Sequence, residues 1–466
     1  MNFIQYTKEI LDKVDNFLDS IEDNLHAMSN PKKTKEVVVK EVSENKEDNF
    51  FICNNEINST EGFLTILKDN GYKNGIKYEY KNKKHLKIIE DTWKVWFPDG
   101  YNKIDEKLNK IKIKNDEQLI FAIPGCDNVV SKYNVCKTLY DFYGKDKAMK
   151  IIPESFLLDK KEDLKFLKEG ERFILKKKVQ RKEGLKITSD IKEVKLAYKD
   201  DYLIAQKLIK PFLINGRKVN LRIYVMVVLH NDKLELYVND YGSCIYTKDK
   251  YDEKSDDFEH NITSYKMELD VYDDNPLTLE QFRTYLNDNN IDSNDFFNKI
   301  NNNLSLFIMS MKDQLGNNKF KKNKCVQIFG VDFIIDENMN PYLLEWNKGP
   351  DMKPRVKMLY NPNITNEIIT KINKLTTKLV GSLEYDEKLK IIKETYKDLY
   401  SGYPKPKKYK DILSEINDFL NKEKKLKSYP SGYISGTGLK IQQDSLSMLG
   451  LIDKKENNGF KKIIEI

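Results

Sequence analysis

The chain has 466 residues, 80 basic against 73 acidic side chains and a net charge of +7, with 39% hydrophobic and 11% aromatic content. That length holds two or three domains around real cores, the composition excludes wholesale disorder, and so mild a charge excess argues against nucleic acid as a partner. No apolar run reaches membrane-spanning length, the opening MNFIQYTKEILDKVDN lacks a signal-peptide core, and five scattered cysteines with four histidines fit reduced thiols rather than a disulfide framework or a zinc site.

In chain order, Ile4, Ile10, Leu11, Val14, Phe17, Leu18, Ile21 and Leu25 recur at helical spacing, which predicts an amphipathic helix over residues 1–28. A Lys-, Glu-, Ser- and Asn-rich stretch over 29–48 reads as a linker. Residues 49–115 open with the strand FFIC and a helix through GFLTILKDNGYK, then DTWKVWF, and form a small α/β domain. QLIFAIPG follows, then residues 126–170, helical and later extended. The region 116–375 alternates strands and helices and is expected to be the central core in two lobes. Residues 376–466 read as a charged helical extension, broken by GYPKPKKY and YPSGYISGTG. The expected fold class is α/β, or α+β.

Within the core, RFILKKKVQRKEGLKITSD (172–190) predicts two strands joined by a charged loop. A lysine at a strand end facing a loop suits a phosphate, although a lysine run is more often a solvated face. In YLIAQKLIKPFLINGRKVNLRIYVMVV (202–228), alternation puts Lys218, Asn220 and Arg222 on one face and Val219, Leu221 and Ile223 on the other. GVDFIIDENMNPYLLEWNKGP (330–350) predicts an antiparallel hairpin about the turn-rich DENMNP. Folding it about its centre sets Asp332 across from Glu345, with Asn347 on the face of Glu345. Two carboxylates and an amide oxygen in an apolar frame suit a hard cation such as Mg²⁺, which completes its shell with nucleotide phosphates.

The stretches AQKLIKPFLINGRKVNLRIYVMVV and GVDFIIDENMNPYLLEWNKGP resemble the QKY…RKFDIR and GFDF…LLEVN signatures of the tubulin–tyrosine ligase-like enzymes. FILKKKVQRKEGLKITS, PGCDNVVSKYNVCKTL, IIPESFLL and FFICNNEINSTEGFLTILKDNGY are similar to further segments in the same order, so the resemblance runs from about residue 50 to 375. It implies an ATP-grasp core of two lobes that clamps ATP and Mg²⁺. Such an enzyme passes the γ-phosphate to a carboxylate, and an amine then attacks the acyl phosphate. Carried over position by position, Lys132, Lys176 and Arg181 are implied as phosphate contacts, and Gln206, Lys207 and Leu208 as the adenine link. Lys218, Asn220 and Arg222 take the place of the Lys-x-Asp-x-Arg stripe, with Arg222, Lys218 and Glu345 in catalytic roles. Asp332, Glu345 and Asn347 match the magnesium ligands. The implied partners are a free amino acid and a protein acceptor such as tubulin or microtubules, in the cytoplasm.

Several positions depart from the family pattern. Asn220 stands for an aspartate, Lys182 for a loop glycine, and Asp240 with Tyr241 where an arginine precedes a glycine. HNITS (260–264) is similar to the family's HLTN, in a register that assigns Asn261, Thr263 and Ser264 to the substrate side unless His260 slips into the histidine's place. Three readings stay open: a ligase acting on tubulin, a ligase with another acceptor, and a catalytically impaired binding module for acidic tails. The tail helix over 404–427 is either a partner-binding element or simply packed on its own domain.

Overall fold

The computed structural model describes residues 49–54, 60–81, 84–89, 91–177, 184–263, 271–272, 274–316, 318–350, 352 and 437–466. The expected N-terminal helix, the 29–48 linker and the 404–427 helix lie outside these residues. In chain order the strands are β1 (Phe50–Ile52), β2 (Lys73–Asn74), β3 (Ile76–Lys81), β4 (Lys84–Ile89), β5 (Val95–Trp96), β6 (Leu119–Ile120), β7 (Ser155–Leu157), β8 (Phe173–Lys177), β9 (Leu185–Thr188), β10 (Tyr202–Lys207), β11 (Leu213–Ile214), β12 (Arg217–His230), β13 (Lys233–Tyr246), β14 (Cys325–Ile335), β15 (Pro341–Lys348) and β16 (Phe460–Glu465).

The architecture is mixed α/β. A ten-stranded sheet runs in the order β16-β13-β12-β14-β6-β5-β1-β2, with β11 added on β12 and β15 on β14. Its N-terminal half is parallel and its other half antiparallel. A separate four-stranded antiparallel sheet has the order β7-β10-β8-β9, and β3 with β4 forms a hairpin.

β12 explains how one strand serves two purposes. Val219, Leu221, Ile223, Val225 and Val227 are buried in one cluster with Phe282 and Leu286 of the helix Leu279–Asp288 and Phe296, Ile300 and Phe307 of the helix Ser293–Met311. Both helices start on side-chain caps: Thr278 and Gln281 form a capping box, and the Asp292 carboxylate accepts from Asn294 and Asp295 amides. On the opposite face, Tyr224, Met226 and Val228 pack with Phe63, Leu64 and Leu67 of the helix Glu61–Asp69 and with Ile441 and Leu446 of the helix Thr437–Met448. Each such side chain contributes roughly 1.5–3 kcal/mol when fully buried. That same face, one turn of alternation earlier, carries Lys218, Asn220 and Arg222. The smaller sheet covers its own cluster of Phe156, Phe173, Leu175, Ile191 and Val194.

Two expectations about domain limits differ from what is seen. The sheet continues across residues 115 and 116, because β1, β2, β5 and β6 extend the sheet that β12 and β14 begin. The described part of the 376–466 extension is a helix followed by β16, and β16 pairs with β13 along the sheet edge. FKKIIE alternates too briefly for its pairing to be read from sequence. No helix among the described residues is long and apolar enough to cross a membrane.

Candidate active site

The β14–β15 hairpin turns at Asp336, whose carboxylate accepts from the Asn338 and Asn340 amides at 2.9 and 2.7 Å. Met339 takes a positive φ of 61° to close the turn. The resulting register sets Asp332 opposite Glu345 and Gly330 opposite Asn347. Between Asp332 and Phe333 the register shifts by one residue, so Leu344 is an extra residue in β15. The bulge resets the alternation. Leu343 and Trp346 both enter the core, where Trp346 lies 4.6 and 5.5 Å from the ring centres of Phe307 and Phe329. Leu344 and Glu345 both line a cavity of about 250 Å³.

That cavity lies where the four-stranded sheet meets β12, β14 and β15, and five cationic residues line it: Lys132, Lys176, Lys207, Lys218 and Arg222. They fall into two kinds by partner. Lys176 donates to the Gln206 carbonyl oxygen at 2.6 Å, and Lys218 to the backbone carbonyl of Asn261 at 2.9 Å. Both acceptors are neutral. Arg222 instead grips both carboxylate oxygens of Asp332, its Nη2 at 2.9 Å from Oδ2, while Lys132 lies 3.4 Å from Glu345. The Asn347 amide also reaches Asp332, at 3.4 Å.

Burial without a counter-ion shows in the titration of the two neutral-partnered lysines. Burial and the nearby Lys132 ammonium push Lys176 down to about 8. Burial, Lys176 and Arg172 push Lys218 down to about 8. For the Arg222–Asp332 pair, burial penalises both charges. Asp332 outweighs burial at the guanidinium, which is raised, whereas burial keeps the Asp332 carboxyl above its ordinary range against the pull of Arg222.

Of the remaining predicted residues, Gln206 holds Lys176 in place, and its amide nitrogen donates to Ser155 Oγ at 2.9 Å. Lys207 turns to Glu171 and Glu154 at the cavity margin. The Leu208 amide donates to the Arg172 carbonyl, and its side chain is an apolar wall. Asn220 donates to Thr263 Oγ1 at 2.9 Å, and its own Oδ1 is buried without a partner. Asn261 is buried and lines the cavity; its amide nitrogen donates to the carbonyls of Ser255 and Asp257, and its own backbone carbonyl accepts from Lys218. Arg181, Lys182 and Ser264 lie outside the described residues. Asp240 pairs with Lys461 of β16, and Tyr241 lies under Lys440, so neither lines the cavity.

Sequence reading missed the apolar walls Ile174, Leu185, Ile245, Ile334 and Leu344, which come from five separate strands. It also missed Arg172, whose guanidinium donates to the Glu253 and Ser255 carbonyls and pairs with Asp256 at 2.7 Å. Arg172 thereby ties the start of β8 to the loop that carries Asn261. No spacing signal links residues so far apart in the chain.

Two anion-ready lysines, three carboxylate-bound cations and an oxygen-rich hairpin can bind a polyanion together with a hard cation. Among the described residues no group of three or more His, Cys, Asp or Glu gathers as a metal site. The oxygen donors available are Asp332, Glu345 and the Asn347 amide.

The family model described as the tubulin-tyrosine ligase family matches residues 111–382, more than half of the chain. The chain is 27% identical over 183 residues to a probable tubulin polyglutamylase of Mus musculus, covering 37% of this chain and 33% of that protein. It is 28% identical over 233 residues to a tubulin glycylase of Tetrahymena thermophila, covering 46% and 19%. A probable tubulin–tyrosine ligase of Schizosaccharomyces pombe is 28% identical over 161 residues, covering 34% and 39%. The matched region thus spans about a fifth to two-fifths of these relatives' own length.

Proposed function

The chain belongs to the tubulin–tyrosine ligase family, and from that premise we propose that it is an ATP- and Mg²⁺-dependent ligase joining an amino acid to a protein acceptor. The acceptor is tubulin or a similar acidic tail, which also implies a cytoplasmic, microtubule-associated setting. One observation carries this reading: five cations and the Asp332, Glu345 and Asn347 oxygens meet in or beside one cavity. Phosphoryl transfer to a carboxylate needs charge neutralisation at the transferring oxygens and little covalent chemistry from the protein. Lys176 and Lys218, held by neutral acceptors, would take phosphate oxygens without breaking an ion pair. Asn220 Oδ1 would accept from a ligand donor. Mg²⁺ held by Asp332, Glu345 and Asn347 would supply further neutralisation. The apolar walls would exclude water from an acyl phosphate on the acceptor carboxylate until the amine of the amino acid attacks and phosphate leaves. The test is incubation with ATP, Mg²⁺, tubulin and radiolabelled glutamate, glycine or tyrosine, one at a time. ATP- and Mg²⁺-dependent label on tubulin supports the reading, and ATP binding without label on any acceptor refutes it.

A second reading, a binding module with impaired catalysis, is favoured by Asp240 and Tyr241. They occupy the place of a family arginine and turn toward Lys461 and Lys440. Stabilisation by ATP with Mg²⁺ that is absent in Glu345→Gln would count against it.

A further inference from the structure

Arg172 lies outside the cavity wall, yet its bonds frame the cavity from two sides. Its main-chain carbonyl accepts from the amide of Leu208, one of the walls, at 2.9 Å. Its guanidinium, 19% exposed, forks across the Glu253 and Ser255 carbonyls and the Asp256 carboxylate. The Ser255 carbonyl is shared, because the Asn261 amide nitrogen donates to it at 2.6 Å. Asn261 in turn offers its backbone carbonyl to the Lys218 ammonium at 2.9 Å. A connected run therefore leads from Arg172 through the strap 253–261 to Lys218. Arg172 directly precedes β8, the strand that carries Lys176, whereas Lys218 belongs to β12 of the other sheet. The run thus joins the two sheets that hold the two neutral-partnered lysines. A planar fork of donors fixes such a strap in orientation as well as in distance, which a single ammonium does not.

We propose that Arg172 is a positioning residue: by gripping the strap that carries Asn261, it fixes the Lys218 ammonium relative to Lys176, so that one polyanion meets both lysines. This rests on the nucleotide-site reading above and adds to it a residue outside the cavity wall. A lysine ammonium is a compact charge on a flexible four-carbon stem. Lys218 has the Asn261 carbonyl as its acceptor, so its direction follows the strap. Lys176 is held separately, by Gln206 within its own sheet. With the strap released, each lysine still attracts a phosphate group, but the two no longer stand at a fixed spacing. A ligand with one phosphate loses little. A ligand with three loses the gain of engaging the second lysine after the first, which depends on geometry. The charge of Arg172 also reaches Lys218 and helps to depress its titration, so charge and grip have to be separated by the choice of variants.

The experiment is urea unfolding of the whole chain near neutral pH against rising inorganic phosphate, inorganic triphosphate, and ATP with Mg²⁺. The stabilisation by each ligand gives its dissociation constant, and the same curves show that each variant folds. Arg172→Met should weaken triphosphate about tenfold and leave phosphate within about twofold. Arg172→Lys keeps the charge without the fork and should fall in the same way; it decides the matter if Arg172→Met does not fold. Lys218→Met should also lose triphosphate, and adding Arg172→Met to it should cost nothing further, because the one acts through the other. Equal loss of both ligands, losses that multiply in the double variant, or full rescue by Arg172→Lys would each overturn the positioning role. Unchanged triphosphate affinity in Arg172→Met would overturn it too, while wild-type ATP binding keeps the nucleotide site. Wild-type protein that fails to bind ATP with Mg²⁺ overturns the nucleotide site itself.

Discussion

Raising the pH from about 7 to about 9.5 should weaken polyphosphate binding and stabilise the ligand-free protein at once. Both effects come from Lys176 and Lys218, each held near a pKa of about 8 in the folded chain against 10.5 ordinarily. A lysine with that pKa is about nine-tenths protonated at pH 7 and about one-tenth at pH 9. If the anion needs the charged form, affinity falls roughly tenfold per lysine between those values, approaching a hundredfold for both. Stability runs the other way. Between about pH 8 and 10.5 the unfolded chain binds more protons than the folded one, so the free energy of unfolding rises with pH. The gain is of the order of 3 kcal/mol per lysine at most, and less than twice that for the pair, because part of the Lys218 shift is the Lys176 charge. Urea denaturation without ligand, and calorimetry with ATP and Mg²⁺, read the two limbs separately. Lys176→Met should flatten both. Affinity that is constant across this range, or ligand-free stability that falls through it, would refute the argument.

Other perturbations give further checks. Removing one partner of Arg222–Asp332 leaves a largely buried charge alone, so Arg222→Ala and Asp332→Ala should each cost about 3 kcal/mol in urea unfolding. The double variant should cost clearly less than the sum, and simple additivity would show that the pair is not coupled. Trp346→Ala empties the space against Phe307 and Phe329 and should lower stability by about 3–5 kcal/mol; an unchanged Tm would mean the bulge is misplaced. Deleting 437–466 removes buried Ile441, Leu446 and Phe460, roughly 6 kcal/mol of burial. A truncated chain that keeps the full chain's Tm would show β16 to be dispensable.

How far the sequence went can be followed residue by residue. The Asp332–Glu345 register and the polar stripe of Lys218, Asn220 and Arg222 were legible, because alternation is a local rule and a turn such as DENMNP fixes the fold-back point. The bulge was not. Sequence shows Leu343, Leu344, Glu345 and Trp346 in a row, and strict alternation would bury Glu345 together with Leu343. A register shift arises only when two strands meet. Gln206 lines the cavity as the resemblance implies, but the contacts of its side chain with Lys176 and Ser155 were not legible. Such a role depends on β7, β8 and β10 being adjacent, which no local pattern encodes. The same holds for Asn261, which lines the cavity while its amide nitrogen donates to the Ser255 and Asp257 carbonyls.

The pairing of β16 with β13 has a consequence for how the chain comes to be folded. β13 ends at Tyr246, and its edge partner begins at Phe460, more than 200 residues later. During synthesis the outer edge of β13, with its row of unpaired amides and carbonyls, is therefore open long after the strands beside it have emerged. An open edge along Glu235–Asn239 is a template for the wrong neighbour. Ribosome-bound chains stalled before residue 460 should accordingly be the aggregation-prone species, and a synthetic FKKIIE peptide supplied in excess should protect them.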